Sequence, residues 1–82
     1  MNPQEQAVAR SWAALTDTAR EAMHRSHAYR ALADALDGLT DRGTGDLVAI
    51  TWRSCPTIAQ AALHATHGNL GADLDTLTTV TT

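Results

Sequence analysis

The sequence predicts an all-α protein, with a long N-terminal helix plus two or three short helices in a small bundle. Three observations carry that expectation. A helix-start signal stands at Asn2-Pro3 with Glu5, apolar residues from Val8 to Leu36 recur at alternating spacings of four and three, and Leu70, Leu74 and Leu77 fall at i, i+4 and i+7. Eighty-two residues make one domain. At that size folding covers only about 60% of the unfolded chain's surface, so help from a partner is expected.

The first element begins where Asn2 can cap free amides, Pro3 suits the first helical position and Glu5 occupies the capping-box site. Nothing interrupts it before "LDGL", where Gly38 can take the left-handed conformation that ends a helix and Leu39 can fold over the last turn. Residues 3–37 therefore read as one helix of roughly 50 Å, with "HRSHAY" the place where a break would fall. Val8, Trp12, Leu15, Ala19, Ala22, Ser26, Tyr29, Ala33 and Leu36 form its seam, widened by Met23 and Leu32. Three short segments cannot sheath so long a helix. Val8, Trp12, Leu15, Met23, Tyr29, Leu32 and Leu36 are thus the candidate interface with a partner protein or with a second copy in a homodimer.

Past the turn "TDRGTGD", Asp46 can cap a second helix. The segment "LVAITWRS" suits a strand as well as a helix and is assigned to helix. Cys55-Pro56 opens the next element, since proline favours a first turn and pushes the residue before it to extended geometry. That element ends at Gly68, and the leucine triad with Asp73 and Asp75 forms the last one. Residues 46–78 are the short-helix bundle, and 79–82 are expected to fray.

The formal charge of −3 and pI near 5.6 offer no general attraction to phosphate backbones. No apolar run approaches the ~20 residues of a membrane span. Without a signal-peptide pattern, and with one cysteine, Cys55, a cytoplasmic setting is expected. Six Arg, no Lys and no Phe read as the product of a GC-rich genome, such as that of an actinobacterium or its phage. Residues 1–30 carry four Arg against three acids and 31–82 two Arg against six, so the halves attract each other.

Four histidines form two His-x-x-His pairs, His24 with His27 and His64 with His67. Residues three apart on a helix can share a metal, and two pairs could make a four-His site if their faces met. By the seam numbering both pairs face water, so neither a metal nor a cofactor is expected. Cys55 at a helix start invites a nucleophile reading, but no histidine is placed beside it by the sequence. The "HGNLG" joint resembles a helix-turn-helix, although the would-be recognition segment "GADLDTLTTV" has two Asp and no Arg or Lys. Nucleic-acid binding would have to use Arg20, Arg25 and Arg30 as a basic face.

The stretch "ALHATHGNLGADLDTL" resembles the second half of ubiquitin-associated domains and of the similar N-terminal module of bacterial elongation factor Ts. There, Ala-Leu on the second helix precedes a Gly-Asn or Gly-Asp turn and a third helix. With "LVAIT" as first helix the resemblance covers 46–78, and Ala62, Leu63, Gly68, Asn69, Leu70, Leu74 and Leu77 fall at its core and turn positions. Thr51-Trp52-Arg53 departs from the Met-Gly-Phe or Met-Gly-Tyr loop that contacts ubiquitin, and Asp73 from a small apolar residue. The resemblance implies a three-helix bundle used for protein contact. The expected function is a non-catalytic protein-interaction module, a phage or bacterial regulator that binds a host protein, and not an enzyme.

Overall fold

In the computed structural model, which describes residues 1–81, seven helices follow one another: α1 Pro3–Ala13, α2 Asp17–Arg25, α3 Arg30–Asp37, α4 Leu39–Arg42, α5 Gly45–Ser54, α6 Thr57–Thr66 and α7 Gly68–Thr81. No strand occurs among the described residues, and "LVAITWRS" is helical within α5. No described helix is long and apolar enough to cross a membrane. The capping box is complete: Glu5 N–H donates to Asn2 Oδ1 at 2.8 Å and Asn2 N–H to Glu5 Oε1 at 3.0 Å.

The expected 3–37 helix is corrected to three. The chain spans 26 × 24 × 19 Å, half the length such a helix would need. Thr16 adopts extended geometry and its hydroxyl accepts from Ala19 N–H, capping α2. Arg20 turns its guanidinium back onto the carbonyls of Trp12 and Ala13, each at 3.2 Å, and onto Leu15, satisfying the end of α1. Ser26 is extended, and Tyr29 donates its hydroxyl hydrogen to Ala59 O across the molecule. Breaking the helix folds the weak Ala and Ser centre of the seam into short segments, so the large residues on either side reach one core. Gly38 is not left-handed; α4 continues almost directly, and Gly43 takes that role at φ 65°. The end expected to fray is helical through Thr81, with Thr82 outside the described residues.

The stripe proposed as an interface is covered within the chain. Val8, Trp12, Met23, Leu32 and Leu36 are buried and Leu15 and Tyr29 pack on the same core, together with Val48, Trp52, Leu63, Leu70, Leu74 and Leu77. The reason for expecting a dimer through the first helix, an uncovered stripe, does not hold.

The core has a second organisation that explains its order. Val8, Ala9, Trp12, Ala19, Ala22, His24 and His27 recur forty positions later as Val48, Ala49, Trp52, Ala59, Ala62, His64 and His67. After a loop two residues shorter, Leu32, Leu36, Asp37 and Leu39 recur as Leu70, Leu74, Asp75 and Leu77. The chain is an internal duplication, α1–α3 matched by α5–α7. Local hydrogen bonds repeat as well: Leu15 and Cys55 N–H donate to the carbonyls of Trp12 and Trp52, which also accept from Arg20 and Gln60 side chains. The halves interlock, α1 packing on α7 and α5 on α3.

Candidate functional site

Each repeat builds a clamp from one tryptophan, one aspartate and one histidine. Trp12 donates its indole N–H to Asp37 Oδ1 at 3.0 Å, and Asp37 Oδ2 lies 2.6 Å from His24 Nε2. In the second repeat Trp52 donates to Asp75 Oδ1 at 2.8 Å, and Asp75 Oδ2 lies 2.9 Å from His64 Nε2. The rings meet edge to face, with centroids 6.2 Å apart for Trp12 and His24 and 5.9 Å for Trp52 and His64. Each aspartate thus ties the last helix of its repeat to the first two. The clamps differ in one detail: Asp34 Oδ1 lies 3.1 Å from His24 Nδ1, whereas a Cβ at Gly71 would lie 2.7 Å from His64 Nδ1. The second ring therefore packs against the α7 backbone where the first repeat has Ala33.

These contacts correct the view of two solvated His pairs. His24 and His64 are anchored; His27 is exposed and His67 half-buried. The two carboxylates at His24 lie on opposite ring nitrogens and cannot share one metal with it. Among the described residues no group of three His, Cys, Asp or Glu is placed to hold a metal ion. The clamps tie the helices of each repeat together through the aspartate and the tryptophan edge.

Cys55 is buried, its thiol near Thr51 O at 3.3 Å and Ala28 O at 3.6 Å. Burial pushes the Cys55 thiol above its ordinary pKa, and burial first and Cys55 second push up that of Tyr29. This is the reverse of an activated nucleophile. Cys55 should therefore react very slowly with iodoacetamide in the native protein at neutral pH and rapidly in denaturant. Similar rates in both conditions, followed by mass spectrometry, would contradict its burial.

Of the basic face, Arg20 is held on α1 and Asp17, and Arg25 pairs with Glu21. Arg30 is exposed. The three do not form a free cationic surface.

Large apolar side chains left exposed are Met1, Leu47, Ile50 and Val80, each about half exposed, and Ile58 on the outer face of α6, the most exposed of them. Ile58, 82% exposed, lies in line with exposed Ala61, Ala62 and Ala65, and none is charged. The matching positions on α2 are Thr18, Glu21, Ala22 and Arg25, also exposed. The fold accepts charge at these positions, so their apolar character in α6 is not a packing requirement. Beside this face a groove of about 220 Å³ opens between α2 and α6, lined by the repeat-equivalent pairs Met23 with Leu63 and Ser26 with Thr66, and by Tyr29 and His67. It falls below the ~300–1,000 Å³ of small-molecule pockets, and its size suits one or two inserted side chains. A search against protein families, curated proteins and solved structures finds no match to the chain.

The sequence reading missed both the clamps and the α6 face. The signal for both was present: the two His-x-x-His pairs and the two tryptophans share the same forty-residue offset.

Proposed function

We propose that the protein is a non-catalytic interaction module of a bacterial or phage regulator, working in the cytoplasm, and that α6 is its contact surface. One observation carries this: the second repeat is apolar at three exposed positions, Ile58, Ala61 and Ala65, where the first carries Thr18, Glu21 and Arg25. An exposed isoleucine set among uncharged alanines beside a groove supports this reading, since contiguous exposed apolar surface is a mark of protein contact. The resemblance of 46–78 to ubiquitin-associated modules supports the same reading, since those modules serve protein contact.

A photo-crosslinking residue at Ala61 tests the proposal in a lysate of a GC-rich bacterium. The expected result is a covalent adduct with a polypeptide, lost when Ile58→Asp is added, while circular dichroism and melting temperature stay unchanged. The proposal fails if Ala61 gives no adduct, or one insensitive to Ile58→Asp.

A further inference from the structure

We infer that the cleft at the joint of α6 and α7 takes the C-terminal residue of a partner polypeptide, holding its carboxylate on Arg10 and its apolar side chain in the groove between α2 and α6. The inference rests on the reading of the protein as an interaction module and adds the chemistry of the segment recognised.

A second cavity, of about 500 Å³, lies between α1 and this joint, with Arg10, Ser11, Leu15, His67, Gly68 and Asn69 in its walls. Its volume is within the ~300–1,000 Å³ of ligand sites. Arg10 has no ion-pair partner among the described residues, unlike Arg20 and Arg25, and no acidic side chain lines either this cavity or the groove. Ser11 donates its hydroxyl hydrogen to Asp73, which does not itself line the cavity. A planar guanidinium with free N–H donors matches a carboxylate in two parallel hydrogen bonds. The His67 imidazole and the Asn69 amide add N–H donors to the same cavity.

The duplication shows that packing does not require this character. The repeat-equivalent cavity, of about 330 Å³ between α3 and α5, has Thr51, Ser54, Cys55 and Ala31 in place of Ser11, Ala14, Leu15 and Asn69, and no charged or imidazole side chain lines it. Ile50 stands where the first repeat has Arg10.

The polar cavity adjoins the apolar groove, because Thr66 and His67 line both. A residue that meets both needs a carboxylate and an apolar side chain on one Cα, which is what the last residue of a polypeptide carries. An internal Asp or Glu spends its side chain on the carboxylate and leaves the groove to a second residue. A free amino acid would bring its ammonium group beside Arg10. The groove, about 220 Å³, has room for one or two side chains. The chain leading to the terminal residue can then run over the uncharged face of α6, along Ala65, Ala62 and Ile58. Capture of a C-terminal carboxylate is a recurring mode of peptide recognition.

Backbone-amide NMR on the full chain tests the cleft with N-acetylated tetrapeptides, three alanines followed by Leu, Ile or Phe, ending in either a free carboxylate or an amide. At least one carboxylate peptide should shift the resonances of Arg10 and Asn69 on one side and Ser26 on the other, and its amide counterpart should bind at least about tenfold more weakly. Arg10→Gln should reduce the carboxylate peptide to the level of the amide, with helical spectrum and melting temperature unchanged. Gly68→Leu should block binding without loss of stability, since a Cβ at Gly68 meets no atom within 4 Å and Gly68 borders the cavity. Absence of binding up to millimolar concentration by all three carboxylate peptides overturns the inference, as does equal binding of the amides or indifference to Arg10→Gln. Hexanoate binding as tightly as the best peptide assigns the cleft to a free acid and overturns it too. Should the inference fall in any of these ways while Ala61 still gives an Ile58-dependent adduct with a polypeptide, recognition of a C-terminus is overturned and the interaction-module reading is upheld.

Discussion

Trp52→Ala is expected to unfold the protein or bring it close to unfolding. Trp52 is 1% exposed and is the largest fully buried side chain. Its ring lies against His64, its indole N–H is taken by Asp75, and its carbonyl accepts from Gln60 at the end of α5. Truncating a buried tryptophan costs about 3–5 kcal/mol. At ~0.05–0.15 kcal/mol per residue, a chain of this length has a total stability of only about 4–12 kcal/mol. Trp52→Phe keeps most of the ring burial and loses the hydrogen bond, so it should cost less than half as much. Urea titration of both variants gives the comparison. A loss below about 1 kcal/mol for Trp52→Ala would contradict the central place assigned to this residue.

The same measurement on Trp12→Ala separates two views of the first helix. Had the Val8–Leu36 stripe been an interface between chains, Trp12→Ala would chiefly lower association. With Trp12 buried inside the chain and bonded to Asp37, it should instead lower the stability of the monomer. The sequence misled here for a physical reason. The four-and-three spacing runs without interruption from Val8 to Leu36, and Thr16 and Ser26 are tolerated inside helices. At the first break the Thr16 cap on Ala19 N–H works with Arg20 reaching back to the α1 carbonyls, and at the second Tyr29 reaches across to Ala59. The Arg20 and Tyr29 contacts form only once the chain has turned. Signals that act within one turn were legible, as the Asn2–Glu5 capping box and the extended Cys55 before Pro56 show. The apolar surface of α6 could not be read as unusual until α2 was recognised as its counterpart. That comparison depends on the duplication, which is masked by sparse identities and a loop shortened by two residues.

Asp75→Ala should destabilise the protein by about 2 kcal/mol, lowering its melting temperature by roughly 8–16 °C. The carboxylate accepts from Trp52 through Oδ1 and faces His64 through Oδ2. These two contacts differ in worth. His64 and Asp75 are 39% and 57% exposed, so their pairing contributes only about 0–1 kcal/mol. The indole N–H is attached to a buried ring, and removing its acceptor leaves a donor that the core cannot satisfy, at about 1–3 kcal/mol. Asp75→Asn retains an amide oxygen for the indole and should cost less than Asp75→Ala. A double-mutant cycle isolates the decisive contact: in the Trp52→Phe background, where no donor remains to be stranded, Asp75→Ala should lose most of its effect. Equal losses in the two backgrounds would show that Asp75 acts through His64 or through α7 itself. The first repeat provides an independent check, because Asp37 holds the same pair of partners. Asp37→Ala should destabilise to a similar degree, and Asp34, whose carboxylate pairs with half-exposed His24, should be replaceable by Ala at a smaller cost.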